Sequence, residues 1–207
     1  MTHTQLIWSL VLNGFTALAV LGSTAAFFLH GGIGNMLAKG KAAFRYFTVD
    51  SNVLCALVCL GVAVWDLGAL RRGGGTVPRW LDLLKLMSAA AVGVTFFTVV
   101  LYLLPVTRFD WKLMYGGGNL FLHALCPLAG MLSWALVERG APLSLGWALL
   151  GAVPTLLYGA VYLRMVLIRK SWEDFYYFNV GGKWYVSLVL MLLLSAAVAL
   201  ALLALRR

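Results

Sequence analysis

Charge is what this chain has least of. Asp, Glu, Lys and Arg together make up 11% of its 207 residues, against 62% hydrophobic, and the mean hydropathy is +0.92. A soluble domain needs a far larger charged share to cover its own surface, so that class is excluded. Acids are scarcest: seven Asp and Glu stand against 16 Lys and Arg, for a net charge of +9. The cations do not form a stripe that would follow a nucleic-acid backbone. They sit in small groups beside hydrophobic runs (Lys39/Lys41/Arg45, Arg71/Arg72, Arg169/Lys170, Arg206/Arg207). That is how helix ends are anchored among anionic headgroups, so membrane lipids are the expected partners and nucleic acid is not. Cysteine is also sparse. Cys55, Cys59 and Cys126 all lie inside hydrophobic runs and read as small buried apolar residues, not as a disulfide framework or a metal site. A basic region of the kind that opens a cleavable signal is missing from the N-terminus, and residues 5–29 are long enough to span a membrane.

What is present is apolar length. A spanning helix needs about 20 mostly apolar residues, and six stretches qualify: about 5–29, 44–70, 80–104, 118–138, 144–168 and 184–205. The expected fold is therefore an all-α integral membrane protein of six transmembrane helices in one domain, 1–207, multi-pass, in the inner or plasma membrane if the source is a bacterium. Turn and charge signals separate the spans: Gly31-Gly32-Ile33-Gly34-Asn35, Arg71-Arg72-Gly73-Gly74-Gly75 with Pro78, the stretch from Pro105 to Gly118, and Glu138-Arg139-Gly140 with Pro142. An even span count puts both termini on one side. That side receives seven of the 16 cations (Arg71, Arg72, Arg79, Lys85, Arg139, Arg206, Arg207) and the other side the remaining nine, too even a split to orient the protein. The last loop, Arg169 to Lys183, carries Trp172, Phe175, Tyr176, Tyr177 and Phe178. The reading preferred for it is an interfacial aromatic belt, and the functional alternative is a lid.

Ionisable residues at membrane depth are functional candidates by default, because burying them is costly. Asp50, Asp66, Lys85, His123 and Arg164 make up the set. Asp66, Lys85 and Arg164 lie near span ends, where they can snorkel or pair, and Asp82 with Lys85 are expected to pair three residues apart on one helix face. His123 has no such neighbour. Its helical face carries Asn119, Pro127, Gly130 and Trp134. In span two, Thr48, Ser51, Asn52, Cys55 and Cys59 form one stripe, with Asp50 pointing the other way. Back-bonding to an i−4 carbonyl is the ordinary explanation for a membrane Thr or Ser. Depth points further, since Thr48 and His123 both lie about 6–8 Å below the same interface at 1.5 Å per residue. Span five brings Thr155, Tyr158 and Tyr162 inward from the same side.

Those residues carry a family likeness. Arg45-Tyr46-Phe47-Thr48-Val49-Asp50-Ser51-Asn52 resembles the F-T-x-x-S-N opening of span two in the bacterial branch of the androgen-induced-gene membrane hydrolases, the family of the androgen-dependent TFPI-regulating protein. His123-Ala124-Leu125-Cys126-Pro127 is similar to its H-x-x-x-P segment, and Pro154-Thr155-Leu156-Leu157-Tyr158 to its P-x-x-x-Y segment. The resemblance implies an intramembrane threonine hydrolase of lipid esters, notably fatty acid esters of hydroxy fatty acids, with Thr48 as nucleophile and His123 as base. Ser51, Asn52, Asn119, Tyr158 and Tyr162 are then candidates for contacting substrate or the oxyanion. No metal or organic cofactor is implied, one membrane His without a Cys or carboxylate cluster being no ligand set. The competing expectation is a non-catalytic transporter or lipid-binding protein using the same polar pocket.

Overall fold

The computed structural model describes residues 1–29 and 40–206. The turn expected at Gly31–Asn35, with Lys39 and Arg207, falls outside them. Six helices are long and apolar enough to cross a membrane: α1 His3–Leu29, α2 Phe47–Arg71, α3 Arg79–Val106, α4 Gly118–Val137, α5 Leu145–Ile168 and α6 Trp184–Arg206. No strand occurs among the described residues. The chain is thus an all-helical, six-span, multi-pass membrane protein. Span two starts three residues later than expected, because Gly40–Arg45 winds as a separate 3₁₀ turn.

α4 lies deepest, with 56% of its apolar window buried, whereas α5 and α6 bury 22% and 28% and face outward. Close approach at the centre follows from residue size. A Cβ on Gly130 of α4 would stand 3.0 Å from Cys55 Sγ of α2, so glycine is what lets these helices touch. Both termini lie on one side, as an even span count requires. The Met1 amine donates to Gly75 O at 2.8 Å beside the α2–α3 loop, and Arg206 at the end of α6 reaches Asp82 at the start of α3.

The ionisable residues of that half are neither snorkelling nor paired as expected. Lys85 is fully buried, 3.5 Å from the equally buried Glu138 carboxylate, and also donates to Asn13 Oδ1 and, at 2.9 Å, to Cys59 Sγ. Asn13 donates to Glu138 Oε1 at 2.9 Å, and Ser9 donates to Asp66 Oδ2 at 2.6 Å. Asp82 pairs with Arg206 at 2.7 Å, not with Lys85, and accepts from Trp134 Nε1 at 2.9 Å. The expected same-helix pair gives way because partners on neighbouring helices shield both charges from lipid, which an i,i+3 pair on one face cannot do. Cys59 is correspondingly more than an apolar filler, since its sulfur accepts from a lysine. The three cysteines are otherwise free and buried. Arg164 is exposed, as a snorkelling residue should be.

Candidate active site

Thr48 stands in the first turn of α2, one residue after Phe47, with its side chain almost wholly buried. It lines an apolar cavity of about 80 Å³ together with Tyr158 and Tyr162 of α5, Thr95 and Thr98 of α3, and Tyr176 of the last loop. Tyr158 donates to Arg45 O at 2.6 Å. Tyr162 donates to Asp174 Oδ1 at 2.8 Å while accepting from the Tyr176 amide. The Tyr176 hydroxyl accepts from Phe47 N at 3.1 Å and faces the hydroxyls of Thr48 and Tyr158. Burial pushes the Tyr176 phenol above its usual range, so it stays a neutral donor at physiological pH.

The aromatic loop therefore does more than belt the interface. Tyr176 and Phe178 close over the cavity, and Phe175 and Tyr176 pack on Tyr162 with ring centroids 5.1 and 5.5 Å away. Asp174 pins the loop by accepting from Tyr162 and from the amides of Phe178 and Asn179, at 2.7 and 2.8 Å for the two amides. Of the loop's five aromatic residues, Tyr177 alone is exposed, at 70%, in the manner of a belt residue. Below the loop a larger apolar cavity, about 460 Å³, shares Thr98, Tyr102, Tyr176, Phe178 and Met191 with the first and continues between α3 and α6 to Leu194. Thr48 thus lines the smaller cavity, and the larger one beside it reaches the exposed Tyr177 and Lys183 on the side of the last loop.

His123 is placed differently. From the Gly130–Cys55 contact, two helical turns toward the same membrane face lead to His123 on α4 and Thr48 on α2. Asn52 confirms this register, since its Nδ2 donates to Thr48 O at 2.8 Å and to Leu122 O at 2.9 Å. Yet the His123 ring turns to the third loop, where Nδ1 meets the Met114 carbonyl at 2.6 Å. His123 is not among the residues lining the Thr48 cavity, and among the described residues no hydrogen bond joins the two. A carbonyl only accepts, so Nδ1 carries the proton and Nε2 is the basic nitrogen, the tautomer a general base requires. The local cause is Pro127. It has no N–H for the His123 carbonyl four residues earlier, and Phe121–Leu125 widens into a π-helical turn that carries His123.

The remaining candidates divide between the two places. Asn119 donates to Leu113 O at 2.9 Å, on the His123 side. Ser51 bonds Thr95 Oγ1 at 2.9 Å, behind the cavity wall. Asn52 bridges the helices, and its Oδ1 is buried without a partner, as is Asn119 Oδ1. Asp50 is half-buried and lines no part of the cavity. Sequence reasoning missed Tyr176 as a cavity residue, Thr95 and Thr98 on α3, and the Met114 carbonyl. The aromatic density of the last loop was the one available signal for Tyr176. No three His, Cys, Asp or Glu side chains among the described residues are grouped to hold a metal ion.

Fold and site together define a multi-pass membrane protein with a small hydroxyl-lined cavity under an aromatic cap, beside a larger apolar one. No family model matches the chain, and neither curated proteins nor solved structures give a match.

Proposed function

We propose that this protein is an intramembrane hydrolase of lipid acyl esters, with Thr48 as nucleophile and His123 as base. The observation that carries the reading is the position of the Thr48 hydroxyl, in a small cavity that shares five wall residues with a larger apolar one, facing a neutral phenol. An acyl chain fits the cavity between α3 and α6, which leaves its ester among Thr48, Tyr158 and Tyr176. Thr48 Oγ1 attacks the carbonyl and its proton passes to His123 Nε2. The alcohol leaves with that proton, and water then clears the acyl-threonine by the reverse sequence. The Met114 carbonyl takes the orienting place that a carboxylate holds in a full triad. Tyr176, joined by Tyr158 after it releases Arg45 O, supplies donors to the oxyanion. Proton transfer requires one water to bridge the gap with the Met114 bond kept, or the ring to swing toward α2 and give that bond up, in keeping with catalytic hydrogen bonds that tighten only when substrate binds. A fatty acid ester of a hydroxy fatty acid, the class implied by the motifs at Thr48 and His123, has the shape the larger cavity accepts.

The separation of His123 from the cavity favours a second reading, a lipid-binding protein without chemistry. Labelling the purified protein with an active-site-directed fluorophosphonate separates the two. The hydrolase reading expects labelling of the wild type and none of Thr48→Ala. An unlabelled wild type that still binds long-chain esters would leave the lipid-binding reading.

A further inference from the structure

At the opposite end of the molecule, the α4–α5 connection and the end of α6 line a separate, open-sided cavity of about 260 Å³, several times the ~30 Å³ share of one water. Arg139 and Arg206 line it, with Ala141, Pro142, Leu143 and Leu203 supplying apolar wall. The Arg206 side chain is only 10% exposed. Its plane is set by two contacts, Nη1 on Asp82 Oδ1 at 2.7 Å and the guanidinium carbon 4.2 Å from the Trp134 ring centroid. With those made, Nη2 remains buried and without a partner. A buried guanidinium nitrogen costs free energy unless it is hydrogen-bonded, so this one calls for a partner such as a water or an anion.

The charge around the cavity agrees. Arg139 donates to the Glu138 carbonyl at 2.9 Å and has no carboxylate partner among the described residues. The Glu138 carboxylate turns away into the bundle, toward Lys85 and Asn13. Asp82 Oδ1 is engaged by Arg206 and Trp134, while its Oδ2, buried without a partner, lies against Gly140, where any Cβ would collide with it. The cavity is thus left positive by Arg139, with the Asp82-paired Arg206 in its wall. α4 ends at Val137 and α6 at Arg206, so the cavity sits at headgroup depth.

We propose that this cavity is a binding site for a phosphate group, held between the guanidiniums of Arg139 and Arg206. A lipid headgroup phosphate and free inorganic phosphate share that chemistry, and Leu143 and Leu203 would contact the first methylenes of a lipid. The site is independent of Thr48 and of the hydrolase reading.

The test uses the full-length protein in neutral detergent, with native mass spectrometry and calorimetric titration against dioleoyl phosphatidic acid, dioleoylglycerol and inorganic phosphate. The variants are Arg139→Gln and Arg206→Lys. The second keeps a cation opposite Asp82, and so the fold, but gives up the planar fork. The wild type should hold phosphatidic acid and not dioleoylglycerol, each variant should bind it roughly tenfold more weakly, and Lys170→Gln at the other end should match the wild type. Competition by inorganic phosphate for the same site, lost in both variants, supports the phosphate assignment. Binding of inorganic phosphate alone supports it too, and names the free anion as the source. Wild-type affinity in both variants, or equal retention of phosphatidic acid and dioleoylglycerol, overturns it.

Discussion

Thr48 and Tyr176 are two hydroxyls that meet only because α2 begins where the last loop folds back. Their roles in the proposed chemistry separate experimentally. Thr48→Ala should lower long-chain ester hydrolysis by roughly a thousandfold or more, since a nucleophile acts as a unit with its base, and Thr48→Ser should keep a measurable part. Melting in detergent should hardly move, because one membrane hydrogen bond contributes about 0.6 kcal/mol on average. Full activity in Thr48→Ala would remove it as nucleophile and turn attention to the other hydroxyls of the cavity, Thr95, Thr98 and Thr155. Tyr176→Phe keeps the ring that caps the cavity and deletes the donor. Loss of one oxyanion donor costs on the order of 10²–10³ in kcat, so the expected result is a reduced kcat at nearly constant KM. A rise in KM alone would make Tyr176 a lid residue and nothing more.

At the level of elements, two local features place these side chains. Pro127 leaves the His123 carbonyl without its α-helical partner, and the π turn Phe121–Leu125 follows. Pro127→Ala returns an N–H to the helix. The variant should melt no lower than the wild type, while activity falls, because a regular α4 turns His123 relative to α2. Unchanged activity would show that the π turn has no part in placing the base. In the last loop, Asp174 supplies both carboxylate oxygens to three donors. Asp174→Ala should loosen the cap and raise KM for long-chain esters more than it lowers kcat, and proteolysis should cut between residues 172 and 180 sooner than in the wild type. Equal proteolysis of the two proteins would mean the loop is held by its aromatic packing instead.

The whole molecule has a polar clasp at one end and the candidate site at the other. Lys85 and Glu138 are fully buried and tie α1, α2, α3 and α4 together through Asn13 and Cys59. Lys85→Met strands the Glu138 charge and should cost about 3–5 kcal/mol in unfolding by SDS. Adding Glu138→Leu should recover most of the loss, since an apolar pair of similar volume removes the uncompensated charge. A double variant as unstable as the single one would mean that the clasp is not held by mutual charge compensation.

The sequence alone determined the number and near-exact bounds of the spans, because length and hydropathy are local properties, and the common side of the termini, because that depends only on an even count. It also marked Thr48, Tyr158, Tyr162 and His123 as polar groups in apolar surroundings, since each stands out within its own helix. The tertiary structure decided which of them meet. Tyr158 and Tyr162 share the cavity of Thr48, while His123, at the same depth, turns to Met114 in a loop whose carbonyl has no sequence signature. It decided, too, that Lys85 pairs with Glu138 and Asp82 with Arg206. Helical spacing says which face a residue occupies. Only the packing of neighbouring helices says what stands opposite, and in a membrane interior a polar group must find its partner there, no water being at hand to take its place.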